Sequence, residues 1–135
     1  MLRIVLVEDN PAEAYLLKRA LRLAGVPIDL VHLEDGQKAV EYLTRSSDKC
    51  DLVLLDLNLP RLSGFEVLEC LRNQDASRLL PVVVLSGSSD SGDIERSYRA
   101  GANSYIRKPV HLEDTLQMAV ALMTYWSRWV SPPPR

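Results

Sequence analysis

Four charged side chains that could take part in chemistry lie at or just after the ends of apolar segments, each of the length of a β-strand. Glu8 and Asp9 follow the first apolar segment, Asp56 ends a second one and Lys108 follows a third. Short apolar runs bounded by turn residues are typical of strands that are buried on both faces of a parallel sheet. In open parallel sheets ligands bind at the carboxyl ends of the strands. We therefore expect these four side chains to converge at one site.

Three carboxylates at one site repel one another and are costly to desolvate unless a cation neutralises them. Oxygen ligands suit Mg²⁺, which typically uses one or two carboxylates together with a phosphate. A carboxylate such as Asp56 can then attack phosphorus, while Lys108 stabilises charge on the transferred group. Ser86, at the end of another apolar segment, could donate a hydrogen bond to the phosphoryl group. Each feature alone is more typical of a turn or a helix cap, so the argument depends on their joint placement.

The order of apolar patterns predicts five strand–helix units. Such alternation indicates a doubly wound parallel sheet with helices on both faces. The predicted strands are Leu2–Val7, Ile28–Leu33, Leu52–Asp56, Pro81–Ser86 and Asn103–Ile106. The predicted helices are 11 to about 24, one opening at 35–36, 64 to about 73, about 90 to 100, and about 111 to 126 or slightly beyond. Residues 46–49 are predicted to form a loop.

Composition restricts the class of protein. The chain has 135 residues, 47% of them apolar and 25% charged, which suits one globular domain. A net charge of −2 gives no general attraction to nucleic acid, and no apolar run approaches the length of a membrane span. Cys50 and Cys70 lack metal-binding or redox spacing. We interpret both as reduced thiols of a cytoplasmic protein.

With these residues in place, the sequence resembles the response-regulator receiver domains of two-component signalling over residues 2 to about 126. The matching motifs are V-E-D-N at 7–10, L-L-D-L-N-L-P at 54–60, L-S-G at 85–87 and Y-I-R-K-P at 105–109. The resemblance implies the flavodoxin-like (βα)5 fold. It also implies a protein that accepts a phosphoryl group from a histidine kinase and is not a turnover enzyme.

The resemblance assigns the acidic residues individual roles. It implies that Asp56 is the phosphoacceptor. It also implies that Asp9 and Asp56 ligate Mg²⁺ directly, together with the backbone carbonyl of Asn58. Glu8 is expected to act on the metal through water.

The resemblance also implies a switch. Lys108 is expected to pair with the phosphoryl group, and the Lys108–Pro109 peptide to be cis. On phosphorylation, Ser86 would move toward the phosphoryl oxygen and Tyr105 would turn inward. The fourth helix, fifth strand and fifth helix would together form the responding face.

The C-terminal segment indicates how the protein would pass on a signal. We predict a receiver domain at 1–128 and a short Pro-rich tail at 129–135 without an output domain, so the output would be a protein contact. Trp126 and Trp129 give the end of the last helix an aromatic surface. The sequence looks like the single-domain regulators that partner phytochrome-type histidine kinases. That resemblance implies a homodimer through the fourth helix, fifth strand and fifth helix.

Four alternatives remain open at the level of sequence. A phosphatase of the haloacid-dehalogenase type needs a second Asp where Asn58 stands. A flavodoxin-like cofactor binder needs a small-residue loop after the first strand, where Glu8 and Asp9 would repel a phosphate. An inactive receiver used for docking would lack Mg²⁺ binding. A generic single-domain receiver would have no link to phytochrome.

Overall fold

The computed structural model describes residues 1–45 and 50–134. Within them, strands and helices alternate, and a short π-helical turn follows the last helix. The strands are β1 Leu2–Val7, β2 Ile28–Leu33, β3 Leu52–Leu55, β4 Val82–Ser86 and β5 Ser104–Arg107. The helices are α1 Pro11–Arg22, α2 Gly36–Leu43, α3 Gly64–Arg72, α4 Ser91–Ala100 and α5 Leu112–Thr124.

The strands form one parallel sheet in the order β2-β1-β3-β4-β5. Side chains of α1 and α5 pack on one face, and side chains of α2, α3 and α4 pack on the other. The predicted five-stranded, doubly wound flavodoxin-like fold is thereby confirmed. Because β1 and β3 are neighbours, the segments that follow them emerge side by side at one edge of the sheet.

The strand bounds agree with the sequence prediction to within one residue. β3 and β4 are buried along their whole length, whereas β2 is the half-exposed edge strand that its alternating pattern predicts. β4 begins at Val82 rather than Pro81, and a proline has no N–H for the ladder. β5 begins at Ser104 rather than Asn103. The Asn103 side chain accepts the Val82 N–H at 2.8 Å and takes the place of a ladder bond there.

Side-chain caps fix where the helices begin. Asn10 Oδ1 accepts the Glu13 N–H at the start of α1, and Ser63 and Glu66 form a reciprocal capping box at α3. At α1 the Glu13 carboxylate makes no return bond to Asn10 and points to Lys108 instead. α1 ends at Arg22, two residues earlier than predicted.

The last helix changes its pitch near its end. α5 is α-helical to Thr124, and Tyr125–Trp129 form a π-helical turn that the Val130 N–H closes on the Tyr125 carbonyl at 3.1 Å. From Val130 the backbone is extended, as the three following prolines require. The predicted loop at 46–49 lies outside the described residues. Across the described ranges, every helix is too short or too polar to cross a membrane.

Candidate functional site

Three carboxylates meet where β1 and β3 end. Glu8, Asp9 and Asp56 each place an oxygen so that the three atoms lie within 4.8 Å of one another. Glu8 and Asp56 are buried, whereas Asp9 is exposed. We call these three residues the acidic cluster. The structure therefore brings together the strand-end carboxylates, with one side open to solvent.

Lys108 crosses the end of β4 to reach the acidic cluster. Its Nζ lies 2.7 Å from Glu8 Oε1 and 3.5 Å from Asp56 Oδ1. A third carboxylate, Glu13 on α1, lies 3.4 Å from the same nitrogen. The backbone of Lys108 is fixed as well, since its N–H donates to the Ser86 carbonyl at 2.7 Å. The ammonium group is thus held against the buried carboxylates by contacts from three elements.

The backbone around Asp56 is tightly constrained. Its N–H donates to the Val7 carbonyl at 3.0 Å, which continues the β1–β3 ladder by one residue. Its Oδ1 accepts the Leu57 N–H at 2.9 Å. Gly64, at the start of α3, packs so closely on the Asp56 carbonyl that a Cβ there would collide with it. These contacts fix both the position and the rotamer of the carboxylate.

Burial and charge act in opposite directions on the two buried acids. Burial raises the pKa of Glu8, and the Asp56 charge raises it further, while Lys108 lowers it. Burial also raises the pKa of Asp56, against the lowering effect of Lys108. Burial alone would lower the pKa of Lys108, but its hydrogen bond to Glu8 and the nearby negative charges raise it overall. The site therefore holds more negative charge than one lysine compensates.

The donor chemistry of the cluster fits a hard divalent cation. All three groups offer carboxylate oxygens, and two of them are desolvated beside each other. Asn58, which is exposed two residues after Asp56, makes no hydrogen bond through its carbonyl to any described residue. That carbonyl is therefore available as a further oxygen ligand.

The response regulator receiver domain family matches residues 4–120 of the chain. This chain belongs to that family. The match spans β2 to β5 and α1 to α4 completely and parts of β1 and α5, and it includes the acidic cluster and Lys108. The predicted resemblance to receiver domains is confirmed.

Relatives of similar length place this receiver near single-domain regulators. It is 38% identical to the probable methanogenesis regulatory protein FilR2 of Methanothrix harundinacea, over 96% of this chain and 86% of that protein. It is 36% identical to response regulator Rcp1 of Synechocystis, over 96% of this chain and 92% of Rcp1.

Solved structures agree with the sequence matches. The phosphorylated cyanobacterial phytochrome response regulator RcpA superposes with a TM-score of 0.90 at 36% identity, over 98% of both chains. The Mn²⁺-bound form of Rcp1 superposes with a TM-score of 0.88 at 32% identity, over 99% of this chain and 100% of Rcp1. Relatives in this family have thus been crystallised in a phosphorylated and in a metal-bound form.

Ser86 lies at the end of β4 but makes no hydrogen bond with the acidic cluster. It is fully buried, and its Oγ accepts the Ser88 N–H at 3.2 Å. Ser88 in turn donates to the Asp93 carboxylate on α4 at 2.7 Å. In this receiver the β4–α4 loop is therefore linked to α4 by side-chain hydrogen bonds.

Tyr105 is joined to the same loop. Its hydroxyl donates to the Ser88 carbonyl at 2.8 Å, and its N–H donates to the Tyr98 hydroxyl at 3.1 Å. The ring is half-buried against the core that α2, α3 and α4 cover. Tyr105 thus connects β5, α4 and the β4–α4 loop in this conformation.

The two tryptophans have different environments. Trp126 is half-buried and packs on the core beside α1 and α5, edge-to-face with Tyr125 at 6.2 Å. Trp129 is 68% exposed and Tyr125 is 57% exposed. The exposed aromatic surface is therefore formed by Tyr125 and Trp129 rather than by both tryptophans.

The predicted cis peptide at Lys108–Pro109 is wrong for this structure. Every peptide bond of the described residues is trans, including this one. The trans form is the lower-energy isomer of an X–Pro bond by about 0.5–1 kcal/mol. The trans bond still allows Lys108 Nζ to lie 2.7 Å from Glu8.

Sequence reasoning missed two residues that contact the site from elsewhere in the chain. Glu13 stands in the first turn of α1, where acidic residues are common, so the sequence gives no separate signal for its contact with Lys108. His32 lies on β2, and its ring nitrogen Nε2 is 2.8 Å from the Glu8 carbonyl. Only the register that pairs Leu6 with His32 brings this ring beside Glu8, and a single sequence does not specify a register.

Proposed function

We propose that this receiver accepts a phosphoryl group from a histidine kinase on Asp56, with Mg²⁺ bound at the acidic cluster. The observation that carries the proposal is the buried Asp56 carboxylate, which stands between two further carboxylates and the Lys108 ammonium. Residues 1–128 would form the receiver domain and residues 129–135 its Pro-rich tail. The protein would be a phosphoacceptor that assists its own reaction rather than a turnover enzyme.

The chain's own residues divide the work of phosphoryl transfer. An Asp56 oxygen attacks phosphorus and forms the new P–O bond, while the P–N bond to the kinase histidine breaks and its electron pair stays on the imidazole. The Leu57 N–H holds the carboxylate in a fixed orientation. Lys108, already 3.5 Å from Asp56 Oδ1, would pair with a phosphoryl oxygen.

The ligand roles that we propose are those implied by the resemblance to receiver domains, and the acidic cluster is compatible with them. Asp9 and Asp56 would hold Mg²⁺ directly with the Asn58 carbonyl, and Glu8, paired with Lys108, would act through water. When bound, the ion would neutralise charge on the equatorial oxygens of the transferred group. Ser86 would donate its hydroxyl to the phosphoryl group after releasing the Ser88 N–H, and Tyr105 would respond through its bond to Ser88.

An open groove beside Lys108 favours a protein donor. It has a volume of about 340 Å³ and lies between α1 and the start of α5. Leu16, Val110 and Leu112 line it, and all three are exposed apolar residues. A kinase helix seated there would bring its phosphohistidine next to Lys108. The similarity to RcpA, a cyanobacterial phytochrome response regulator, supports a phytochrome-type kinase as this partner.

The first test is intact mass after incubation with a small acyl phosphate and Mg²⁺. We expect the wild-type chain to gain one phosphoryl group. The Asp56→Asn variant should gain none, because an amide is not a nucleophile toward phosphorus. Wild-type protein in excess EDTA should also remain unmodified.

Two results would contradict this proposal. Equal modification of the Asp56→Asn variant would place the acceptor elsewhere. No modification from the acyl phosphate, combined with no Mg²⁺ binding by calorimetry, would favour a receiver that acts only as a docking module.

We further propose that the receiver forms a homodimer through α4, β5 and α5. Exposed aromatic rings support this surface: Tyr98 on α4 is 49% exposed, and Tyr125 and Trp129 follow α5. Charge pairing across a two-fold axis has less support. Three charged residues of α4 already have partners within the chain. Asp93 accepts a hydrogen bond from Ser88, and Arg99 pairs with Glu95. Arg96 lies over the Phe65 ring at 4.0 Å.

Replacing Trp129 with Ala should weaken this dimer at least tenfold, since a buried interface tryptophan commonly contributes 2 kcal/mol or more, about a factor of 30. Light scattering over a concentration series measures the dissociation constant. Phosphorylation of Asp56 should continue at the wild-type rate, because Trp129 lies outside the core. A wild-type chain that is monomeric at micromolar concentration, phosphorylated or not, would rule out the dimer.

A further inference from the structure

The carbonyl of Glu8 is held by the side chain of a residue from the neighbouring strand. His32 Nε2 lies 2.8 Å from this carbonyl oxygen. The Glu8 N–H donates to the Leu33 carbonyl at 3.0 Å, so β2 holds the Glu8 backbone from both sides. Asp9 follows Glu8 in the chain. The peptide group between Glu8 and Asp9 contains the carbonyl that His32 contacts.

The contacts of the His32 ring define its tautomer. A carbonyl oxygen only accepts, so Nε2 must carry the hydrogen and donate it to Glu8. Nδ1 lies 3.5 Å from the Lys18 Nζ, and an ammonium group only donates. His32 therefore donates to the β1–α1 loop through Nε2 and faces Lys18 on α1 through Nδ1.

Asp9 has no comparable support of its own. Its carboxylate is exposed and makes no hydrogen bond or ion pair with any described residue. The position of this carboxylate therefore depends on the backbone on either side of Asp9. The Asn10 N–H donates to Glu8 Oε2 at 3.2 Å on one side, and on the other the Glu8–Asp9 peptide is held by its carbonyl contact with His32. Rotation of that peptide plane would move Asp9 away from Asp56.

We infer that His32 is a positioning residue for the divalent-cation site: its Nε2–H fixes the Glu8–Asp9 peptide so that the Asp9 carboxylate faces Asp56. The inference rests on the proposed function, because it assumes that the acidic cluster binds Mg²⁺. Groups that orient metal ligands typically change metal affinity 10- to 100-fold when they are removed. We expect an effect at the lower end of that range, because His32 acts through the backbone.

Two amide substitutions separate the hydrogen bond from simple packing. His32→Gln places an amide N–H as many bonds from Cβ as Nε2, whereas His32→Asn places it as near as Nδ1, which cannot reach Glu8. Mg²⁺ affinity of the full chain is measured by calorimetry with the metal alone, and Mn²⁺ affinity by electron paramagnetic resonance. His32→Gln should stay within about threefold of wild type, and His32→Asn and His32→Leu should bind about tenfold more weakly.

The outcomes are distinguishable. Wild-type affinity in His32→Leu would overturn the positioning role, and so would equal weakening in the Gln and Asn variants, which would indicate lost packing. Thermal unfolding in EDTA, recorded for each variant, confirms that the compared chains are folded at the temperature of the titration. Absence of metal binding in the wild-type chain would instead contradict the proposed function itself.

Discussion

Replacing Lys108 with Met should lower the free energy of unfolding by about 2 kcal/mol at neutral pH in the absence of metal. Removing one partner of a buried ion pair typically costs about 3–5 kcal/mol, since the other charge stays buried without compensation. The acidic cluster opens to solvent on the Asp9 side, which reduces this cost. Lys108 is the ammonium group nearest to Glu8 and Asp56, and its side chain is only 14% exposed.

The loss should depend on pH with a defined sign. Burial already raises the pKa of Glu8 and Asp56, and without Lys108 both values rise further. A carboxyl with a raised folded-state pKa stabilises the fold below its unfolded-state value, about 4, and that stability is lost as the pH rises through the folded-state value. The difference between wild type and Lys108→Met should therefore be small near pH 4 and grow toward neutral pH.

Urea denaturation in EDTA at several pH values measures this effect. Lys38→Met is the matched control, because Lys38 is exposed on α2 and its change should be near zero. Adding Asp56→Asn to Lys108→Met should restore part of the loss by removing one uncompensated charge. A loss that is the same at every pH would mean that Lys108 acts through the packing of its aliphatic stem.

The fold follows from local sequence signals. Apolar runs such as the one before Asp56, caps such as Ser63 and stops such as Gly101 each have a local physical cause, and each predicts an element boundary to within about two residues. Gly101 is a clear case. Its backbone is left-handed, with φ of 112°, and a Cβ there would collide with Arg72.

The convergence of the acidic cluster was also predictable, because parallel strands deliver their carboxyl ends to one edge. The sequence alone does not specify which side chains cross between elements. Glu13 reaches Lys108 over 95 residues and His32 reaches Glu8 over 24. Both contacts depend on strand order and register, which become fixed only when the whole sheet assembles.

The π-helical turn shows a second limit. The sequence through Trp126 reads as helix, and residues 125–129 are helical, but with the longer hydrogen-bond spacing that the Val130 N–H closes. Pattern analysis distinguishes helix from strand by the period of apolar residues and is insensitive to a change of pitch over five residues. The sequence pattern therefore does not show that the Trp126 ring is packed while the Trp129 ring is exposed. Only the structure shows this difference.

Arg72, at the last residue of α3, should be a major determinant of stability, although it lies far along the sheet from the acidic cluster. Its guanidinium donates to the carbonyls of Gly101, Ser77, Arg78 and Leu80 and to the Asn103 side chain. The shortest of these bonds, to Leu80, is 2.7 Å. One side chain thus joins α3 to the segments that precede β4 and β5.

Replacing Arg72 with Met should lower the free energy of unfolding by about 3 kcal/mol. Hydrogen bonds to charged groups contribute about 1.5–3 kcal/mol each, and buried acceptors left without a donor add a desolvation cost. Water can replace the donor at the exposed Arg78 carbonyl, which keeps the total below the sum of the bonds. The loss of Arg72 would also weaken the orientation of the Asn103 side chain, because the Oδ1 that accepts from Arg72 also accepts the Val82 N–H.

Urea denaturation compares this variant with Arg78→Met. Arg78 is an exposed arginine between α3 and β4, and its loss should cost less than about 0.5 kcal/mol. Arg72→Lys should fall between them, because an ammonium group keeps the charge but cannot form the planar fork. Phosphorylation of the folded Arg72→Met protein should match wild type, since these contacts lie at the amino ends of β4 and β5 and Asp56 lies at the opposite edge. If Arg72→Met unfolds with wild-type stability, the carbonyls it contacts must be satisfied equally well by water, and the connection between α3, β4 and β5 must depend on apolar packing alone.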